Sequence, residues 1–258
     1  MSYTIAEDFT LPSLGKVYKK QINPVIKLRS MSTEDEMLRL SHSDRPYKPL
    51  CDMIESCIIG EKPGISVYDM CLADYQYLLH RLRVVTYGPE YLTQSVCRWC
   101  GTINEKVVNL DDIPVTQYSE ELEKHFEFEL PRSGSKVRIR MQTPRSVDDI
   151  AIRVKEFKKK SPDAPDPTII YTIKSLIESI DGQVMDAFKI ESWVRKLPMA
   201  DTNTILKHAE ILNKSFGLDT VVKVESKECG VDYDTPFRIT PELFGPCLFQ
   251  ALHRSLHL

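Results

Sequence analysis

The residues whose types and spacing could do chemistry lie in the segment Cys97-Arg98-Trp99-Cys100-Gly101. Two thiolates separated by two residues can bind one tetrahedral Zn²⁺ from a tight turn of the chain. The glycine after the second cysteine permits a turn in which backbone N–H groups point at sulfur. Because a structural zinc ion usually has four protein ligands, this pair predicts a second pair elsewhere in the chain.

A partial copy of this segment lies near the other end of the chain, at Ser226-Lys227-Glu228-Cys229-Gly230. Each position of the copy lies 129 residues after its counterpart, and Gly217 lies 129 residues after Gly88. We call residues 97–101 the first knuckle and residues 226–230 the second knuckle. Their constant offset predicts two hairpin knuckles that face each other, as in a zinc ribbon.

Three interpretations of the paired knuckles stay open from the residues alone. Zinc can be held by the three thiolates of Cys97, Cys100 and Cys229, with Ser226, a poor zinc ligand, at the fourth ligand position. Water, Glu228, Asp232 or a histidine could supply the fourth ligand instead, and the spacing favours none of them. Alternatively, the ribbon has lost its metal and packing holds it together. The third interpretation is a redox-active Cys97–Cys100 pair.

Composition and charge are those of an ordinary globular protein. Lys and Arg number 34 and Asp and Glu number 37, so the net charge of −3 gives no argument for a nucleic-acid or membrane partner. No apolar run approaches the ~20 residues that span a bilayer. The start of the chain lacks the pattern of a signal peptide, so we expect the protein to stay in the cytoplasm where it is made.

The seven cysteines are an odd number, which argues against a disulfide framework in an unsecreted chain. Outside the knuckles they stand among apolar residues of predicted helices. We therefore expect Cys51, Cys57, Cys71 and Cys247 to be buried small apolar residues.

Helices and short strands are predicted around the knuckles. Ser32 with Asp35, and Ser66 with Asp69, have the spacing of capping boxes that open helices. Strands are predicted on both sides of each knuckle, and a separate hairpin is predicted from residues 126–130 and 137–141. The other predicted helices cover residues 47–58, 67–85, 147–160, 168–178, 187–196, 201–216 and 241–257.

These elements predict an α+β fold, with a zinc-ribbon-like lobe built from two distant β-hairpin knuckles and an inserted, mainly helical lobe. Residues 1–118 would contain an extended arm, helices and the first knuckle. Residues 119–215 would form the inserted hairpin and helical lobe, and residues 216–258 the second knuckle and a C-terminal helix. Three prolines within residues 162–167 exclude regular structure there and predict a linker.

A resemblance to a known family rests on several short segments in a fixed order. They are Leu11-Pro12-Ser13-x-Gly15-Lys16-x-Tyr18, Leu28-Arg29-Ser30-Met31-Ser32-Thr33, Thr86-Tyr87-Gly88 and Cys97-x-x-Cys100-Gly101, followed by the second knuckle. This sequence resembles the baseplate hub and hub-assembly proteins of T-even and related contractile-tailed bacteriophages. The resemblance implies a non-enzymatic component of the tail baseplate in the virion, which binds other tail proteins. Members of that family tend to carry two cysteines in the second knuckle, so Ser226 is a departure.

Two other function classes have weaker support. No P-loop, G-x-S-x-G, H-E-x-x-H or G-x-G-x-x-G motif occurs, and the six histidines are scattered, which disfavours an enzyme. Asp148-Asp149 is best explained by a helix start, where carboxylates suit the macrodipole. A nucleic-acid-binding zinc ribbon is the alternative, because Arg98 and Trp99 are predicted at a knuckle tip and residues 153–160 are rich in lysine.

The apolar stretch of residues 237–258 is a further candidate surface. An amphipathic tail of this kind can dock on a partner protein or pack on the core of its own chain.

Overall fold

The computed structural model describes residues 5–236 and residue 244. Over these residues the fold is α+β, as the sequence predicts, with helices packed on small antiparallel sheets. None of the described helices has the length and apolar character needed to cross a bilayer. The predicted C-terminal helix, the apolar stretch of residues 237–258 and Cys247 lie outside the described residues, apart from Phe244.

Local capping decides where several helices begin. The Ser32 hydroxyl accepts from the Asp35 backbone N–H while the Asp35 side chain accepts from the Ser32 backbone, which confirms the predicted capping box. Thr143 caps another helix in the same way, with Pro144 at its first position. The helices of the described part are α1 (Thr33–Arg39), α2 (Tyr47–Cys57), α3 (Leu72–Tyr87), α4 (Glu123–Phe126), α5 (Pro144–Lys160), α6 (Thr168–Leu176), α7 (Ala187–Lys196) and α8 (Met199–Ser215).

The prediction of a helix start at Ser66 is wrong. Ser66 opens a single 3₁₀ turn over Val67–Asp69, the chain then becomes extended, and α3 begins at Leu72. The Asp69 carboxylate pairs with Arg145 of α5, with Nε and Oδ1 2.5 Å apart, instead of reaching back to its own cap. A distant ion pair has therefore replaced the local contact on which the prediction depended.

The strands form five small antiparallel sheets in the described residues. Their orders are β1-β2-β3, β4-β5, β10-β6, β7-β8-β9 and β11-β12. The strands are β1 (Ala6–Thr10), β2 (Val25–Arg29), β3 (Ile58–Ile59), β4 (Glu90–Val96), β5 (Ile103–Asn109), β6 (Val115–Thr116), β7 (Glu127–Glu129), β8 (Lys136–Ile139), β9 (Ile177–Ile180), β10 (Gly217–Leu218), β11 (Val221–Glu225) and β12 (Asp232–Pro236). The predicted hairpin of residues 126–141 is confirmed as β7 and β8. The prediction of a helix through Glu178 is wrong at its end, because Ile177 and Glu178 begin β9.

The second half of the chain repeats the element order of the first half. Each half has a hairpin, two helices, a third strand directly after the second helix, a further long helix and a second hairpin. In the first repeat (residues 6–109) these are β1-β2, α1, α2, β3, α3 and β4-β5. In the second repeat (residues 127–236) they are β7-β8, α5, α6, β9, α8 and β11-β12, with α7 added before α8.

Matching residues support this correspondence. Phe-x-Leu-Pro-x-x-Gly occurs at residues 9–15 and again at residues 128–134, at the turn of each first hairpin. Ile-x-Ser-x-Ile occurs at residues 54–58 and 173–177, where each second helix becomes a strand. Shared topology together with shared residues at equivalent places identifies the two halves as structural repeats.

A buried aspartate holds the same turn in both repeats. Asp74 is the third residue of α3 and accepts from the Ser13 backbone N–H at 3.0 Å. Asp201 is the third residue of α8 and accepts from the backbone N–H groups of Arg132 and Ser133 at 2.8 and 2.9 Å. Each aspartate thus supplies acceptor oxygens to backbone N–H groups of its hairpin turn.

Each repeat has its own hydrophobic core. The first core is formed mainly by β1, β2, α2 and α3 and also includes Phe244. The second core is formed mainly by β8, β9, α6, α7 and α8. The division of the chain into residues 1–118, 119–215 and 216–258 stays a prediction. The second repeat includes β10 to β12 and the helices before them, so it crosses the predicted boundary after residue 215.

Candidate metal centre

Two matching hairpins carry the knuckles, as the sequence predicts. Strands β4 and β5 pair from Glu90–Asn109 to Val96–Ile103, and β11 and β12 pair from Val221–Pro236 to Glu225–Asp232. In each hairpin the knuckle connects the two strands.

The two knuckles have the same backbone hydrogen bonds. The Gly101 N–H donates to the Cys97 carbonyl, and the Gly230 N–H donates to the Ser226 carbonyl, both at 2.9 Å. Both glycines are left-handed, with φ of +74° and +67°, a conformation that strains other residues. The second knuckle thus has the same backbone geometry as the first, with Ser226 where the first knuckle has Cys97.

The hairpins bring all three cysteines together with Ser226. The Sγ atoms of Cys97 and Cys229 are 3.8 Å apart. The three sulfurs all lie within 4.8 Å of one another. The Cys100 Sγ and Ser226 Oγ atoms are 3.3 Å apart. The Cys97–Cys229 and Cys100–Ser226 contacts are equivalent in the two repeats, because Cys97 corresponds to Ser226 and Cys100 corresponds to Cys229.

This arrangement fits a tetrahedral ion. Zinc–sulfur bonds of about 2.3 Å at tetrahedral angles place two sulfurs about 3.8 Å apart. The Cys97–Cys229 separation matches that value, and Ser226 completes the group of four side chains. Ser226 is 2% exposed, so its hydroxyl lies inside the site and not at its edge.

Hydrogen bonding favours the thiolate form of Cys100. The Ser226 hydroxyl, followed by the side chain and backbone of Thr102, lowers the pKa of the Cys100 thiol to about 6. Cys100 is therefore largely ionised at neutral pH, and a thiolate is the form that binds metals and attacks disulfides.

Polar contacts behind the knuckles also join the hairpins. The Tyr233 hydroxyl lies 2.8 Å from the Ser95 hydroxyl and accepts from the Asn104 side-chain amide at 3.1 Å. The Asn104 side-chain oxygen accepts from the Lys227 N–H at 2.9 Å. Asn104 and Tyr233 are themselves counterparts in the two repeats, 129 residues apart. Sequence reasoning missed both residues, although the constant offset would have pointed to the pair.

The other cysteines lie away from this centre. Cys51, Cys57 and Cys71 are buried in or beside helices, which confirms that prediction. Burial raises the pKa of the Cys57 thiol to about 11, and it also raises the pKa of Cys51 and Cys71. These thiols are therefore protonated and unreactive at neutral pH.

The features that suggested other functions have structural explanations. Asp148 lies in the second turn of α5, where it accepts from the Tyr47 backbone N–H and from the Tyr68 hydroxyl at 2.8 Å. Asp149 forms an ion pair with Arg45 at 2.6 Å. The two aspartates thus tie the second repeat to the first, which corrects the macrodipole explanation.

Two of the scattered histidines meet in the structure. The Nδ1 atoms of His125 and His208 are 3.2 Å apart, and the Phe128 ring stacks on His208. Burial, and then the neighbouring His125, lower the pKa of His208. Their separation of 83 residues hid this contact from sequence reasoning.

Comparison with known proteins identifies a family for this chain. No curated protein and no solved structure matches this chain. A family model described as T4 bacteriophage base plate protein matches residues 3–245, a range that includes both repeats and both knuckles. The chain therefore belongs to the T4 bacteriophage base plate protein family.

Proposed function

We propose that this protein is a structural or assembly component of the hub region of a contractile-tail baseplate and acts through contacts with other tail proteins. The observation that carries this proposal is the family match over residues 3–245. The hub location comes from the resemblance of the ordered motifs, and the mode of action is supported by an exposed apolar surface.

That surface is the outer face of the first knuckle's hairpin. Val96 and Ile103 are directly opposite in the β4–β5 register and are 59% and 62% exposed. Val107, on the same face, is 60% exposed, and Trp99 at the tip is 64% exposed. Neighbouring apolar side chains that remain exposed mark interaction sites, and aromatic residues often anchor them.

Incorporation into tails tests this proposal. Phage that lack the gene would be complemented with tagged wild type or with Val96→Asp, and purified tails would be probed for the tag. We expect wild type at the hub by electron microscopy of the labelled particles and loss of the Val96→Asp variant. Val184→Asp is the matched control, because Val184 is 82% exposed outside the hairpin. Wild-type protein that joins no baseplate would refute the proposal.

We also propose that Cys97, Cys100 and Cys229 hold one structural Zn²⁺ with Ser226 at the fourth position. A bound zinc would cross-link the two knuckles and so add to the stability of the folded state. The proposal is supported by the mutual distances of the three sulfurs, the buried Ser226 hydroxyl and the shared turn geometry.

Elemental analysis of purified protein tests the zinc proposal. We expect one zinc per chain in wild type and none in Cys97→Ser, with Cys51→Ser as the control that keeps its metal. Mass spectrometry of the intact, unreduced chain distinguishes the redox interpretation, since a disulfide lowers the mass by two hydrogens. Zinc-free, folded wild type would end the metal proposal.

A further inference from the structure

A large open cleft lies between the two repeats and has a volume of about 1030 Å³. One wall is the loop of residues 16–22, which belongs to the first repeat. The opposite walls come from β8, the first turns of α5, and α6 of the second repeat. The cleft is separate from the knuckles and from the exposed face of the β4–β5 hairpin.

The loop that forms this wall is an addition to the first repeat. Fourteen residues (11–24) connect β1 to β2, whereas six residues (130–135) connect the equivalent strands β7 and β8. The second repeat shows that the hairpin closes without the extra residues. The additional length is therefore not required for the fold of a repeat.

Internal contacts hold the loop in place. The Ile22 N–H donates to the Gly15 carbonyl at 3.3 Å, and the Tyr18 hydroxyl donates to the Asp74 carboxylate at 2.6 Å. A side chain at Gly15 would come within 2.4 Å of the Ile22 carbonyl oxygen. A wall fixed in this way is ready for a ligand without a further ordering cost.

The cleft is strongly basic in a slightly acidic protein. Eight of its lining residues are Lys or Arg and four are Asp or Glu, although the whole chain has a net charge of −3. Several of these cations are already paired, for example Arg145 with Asp69. Lys19, Lys20 and Arg153 are exposed, and no carboxylate among residues 5–236 forms an ion pair with them. Unpaired cations on two walls of one cleft attract an anionic ligand.

We propose that this cleft binds an acidic segment of another tail protein. Its volume is at the upper limit of small-molecule pockets, which suits an extended stretch of polypeptide. Lys19 and Lys20 on the loop and Arg153 on α5 pair with carboxylates of that segment. This inference rests on the proposed function, because baseplate assembly supplies the protein partners.

Binding of a defined probe tests the charge requirement. A fluorescein-labelled peptide of alternating Glu and Gly would be titrated with the full chain at low salt, and anisotropy would be read. For the triple variant Lys19→Glu, Lys20→Glu and Arg153→Glu we expect affinity at least about tenfold weaker. The matched control changes three exposed lysines outside the cleft, Lys62, Lys159 and Lys160, to Glu and should bind within about twofold of wild type.

Three outcomes of the binding assay would overturn the inference. Equal weakening by both triple variants would show binding to the general surface charge, and absence of wild-type binding at low salt would show no site. Tighter binding of labelled single-stranded DNA than of the peptide, lost in the cleft variant, would assign the cleft to nucleic acid. Circular dichroism verifies that both variants fold.

The tail-incorporation assay separates this inference from the proposed function. If wild type joins tails and the cleft variant does not, the cleft is a docking site for a tail protein. If both join equally, the inference is wrong and the proposed function stands. If wild type itself does not join, the proposed function fails whatever the peptide assay shows.

Discussion

At the scale of single residues, the candidate metal centre depends on Ser226. Its hydroxyl lies 3.3 Å from the Cys100 sulfur, inside a turn whose backbone matches the first knuckle. The difference between this site and a four-cysteine zinc site is therefore one atom in one side chain. A cysteine at this position needs no rearrangement of the backbone.

Ser226→Cys should bind zinc at least about tenfold more tightly than wild type, because it adds a fourth thiolate to a preformed turn. Competition with a chromophoric chelator measures the affinity. Ser226→Ala is the control, and it should bind no more tightly than wild type. Identical affinities for wild type and Ser226→Cys would show that position 226 does not face the ion.

A second single residue, His80, is expected to make the stability of the fold depend on pH. It is 1% exposed, and among the described residues neither ring nitrogen has a hydrogen-bond partner. Burial and then the charge of Arg81 lower its pKa to about 4, against opposing effects of the Leu110 backbone and then of Asp111. The unfolded chain takes up a proton near the ordinary pKa of about 6.5, whereas the folded chain stays neutral.

We therefore expect the stabilising contribution of neutral His80 to be complete above about pH 6.5 and to disappear as the pH falls toward about 4. Between about pH 7 and about pH 5, this one group should lower the free energy of unfolding by about 2 kcal/mol. His80→Leu should remove that part of the pH dependence in urea unfolding. An unchanged slope in the variant would contradict the assignment.

At the scale of elements, the aspartate near the start of each repeat's long helix joins that helix to a hairpin turn. Asp74 accepts from the backbone and hydroxyl of Ser13 and from Tyr18, so it joins β1, the loop of residues 16–22 and α3. Asp201 has the equivalent role for the turn between β7 and β8. The contact is present in both repeats, although the residues that donate to the aspartate differ.

Asp74→Ala should lower the free energy of unfolding by about 2 kcal/mol or more, because it leaves three donors without an acceptor in a buried place. Urea unfolding measures the change. Gln76→Ala, at an exposed position of the same helix, is the control and should change stability by less than about 0.5 kcal/mol. Equal effects of the two substitutions would show that the Asp74 contacts add nothing.

At the scale of the whole molecule, contacts between the repeats decide whether they unfold together. Asp148 of α5 accepts from Tyr47 and Tyr68 of the first repeat, and Arg145 pairs with Asp69. Gly217 packs so closely that a side chain there would lie 3.2 Å from the Ala73 Cβ. These contacts, together with the facing knuckles, couple the two cores.

Wild type should therefore unfold in a single calorimetric transition, and Asp148→Ala should separate it into two. The substitution removes the acceptor shared by two donors of the other repeat and leaves both cores intact. Glu156→Ala, an exposed carboxylate of the same helix, is the control. One unshifted transition in Asp148→Ala would show that other contacts carry the coupling.

Contacts between neighbours in the chain were predictable from the sequence. Ser32 and Asp35 are three residues apart, so their capping box forms within one turn whatever surrounds it. The same holds for the two knuckles, where a glycine in a left-handed conformation closes a turn of five residues. Their shared 129-residue offset also predicted correctly that the three cysteines and Ser226 converge.

The tertiary structure decided which of several possible partners a side chain or strand contacts when those partners are far apart in the chain. Asp69 had a cap within reach but pairs with Arg145, and α3 begins later as a result. Residues 177 and 178 were predicted to end a helix, yet with residues 179 and 180 they form β9, which pairs with the edge of β8. By itself the sequence determined the turns, the caps and the matched knuckles, since their hydrogen bonds span a few residues. The topology of the repeats, the cleft between them and the partner of each buried charge depend on contacts between residues far apart in the chain. Only the tertiary structure could therefore decide them.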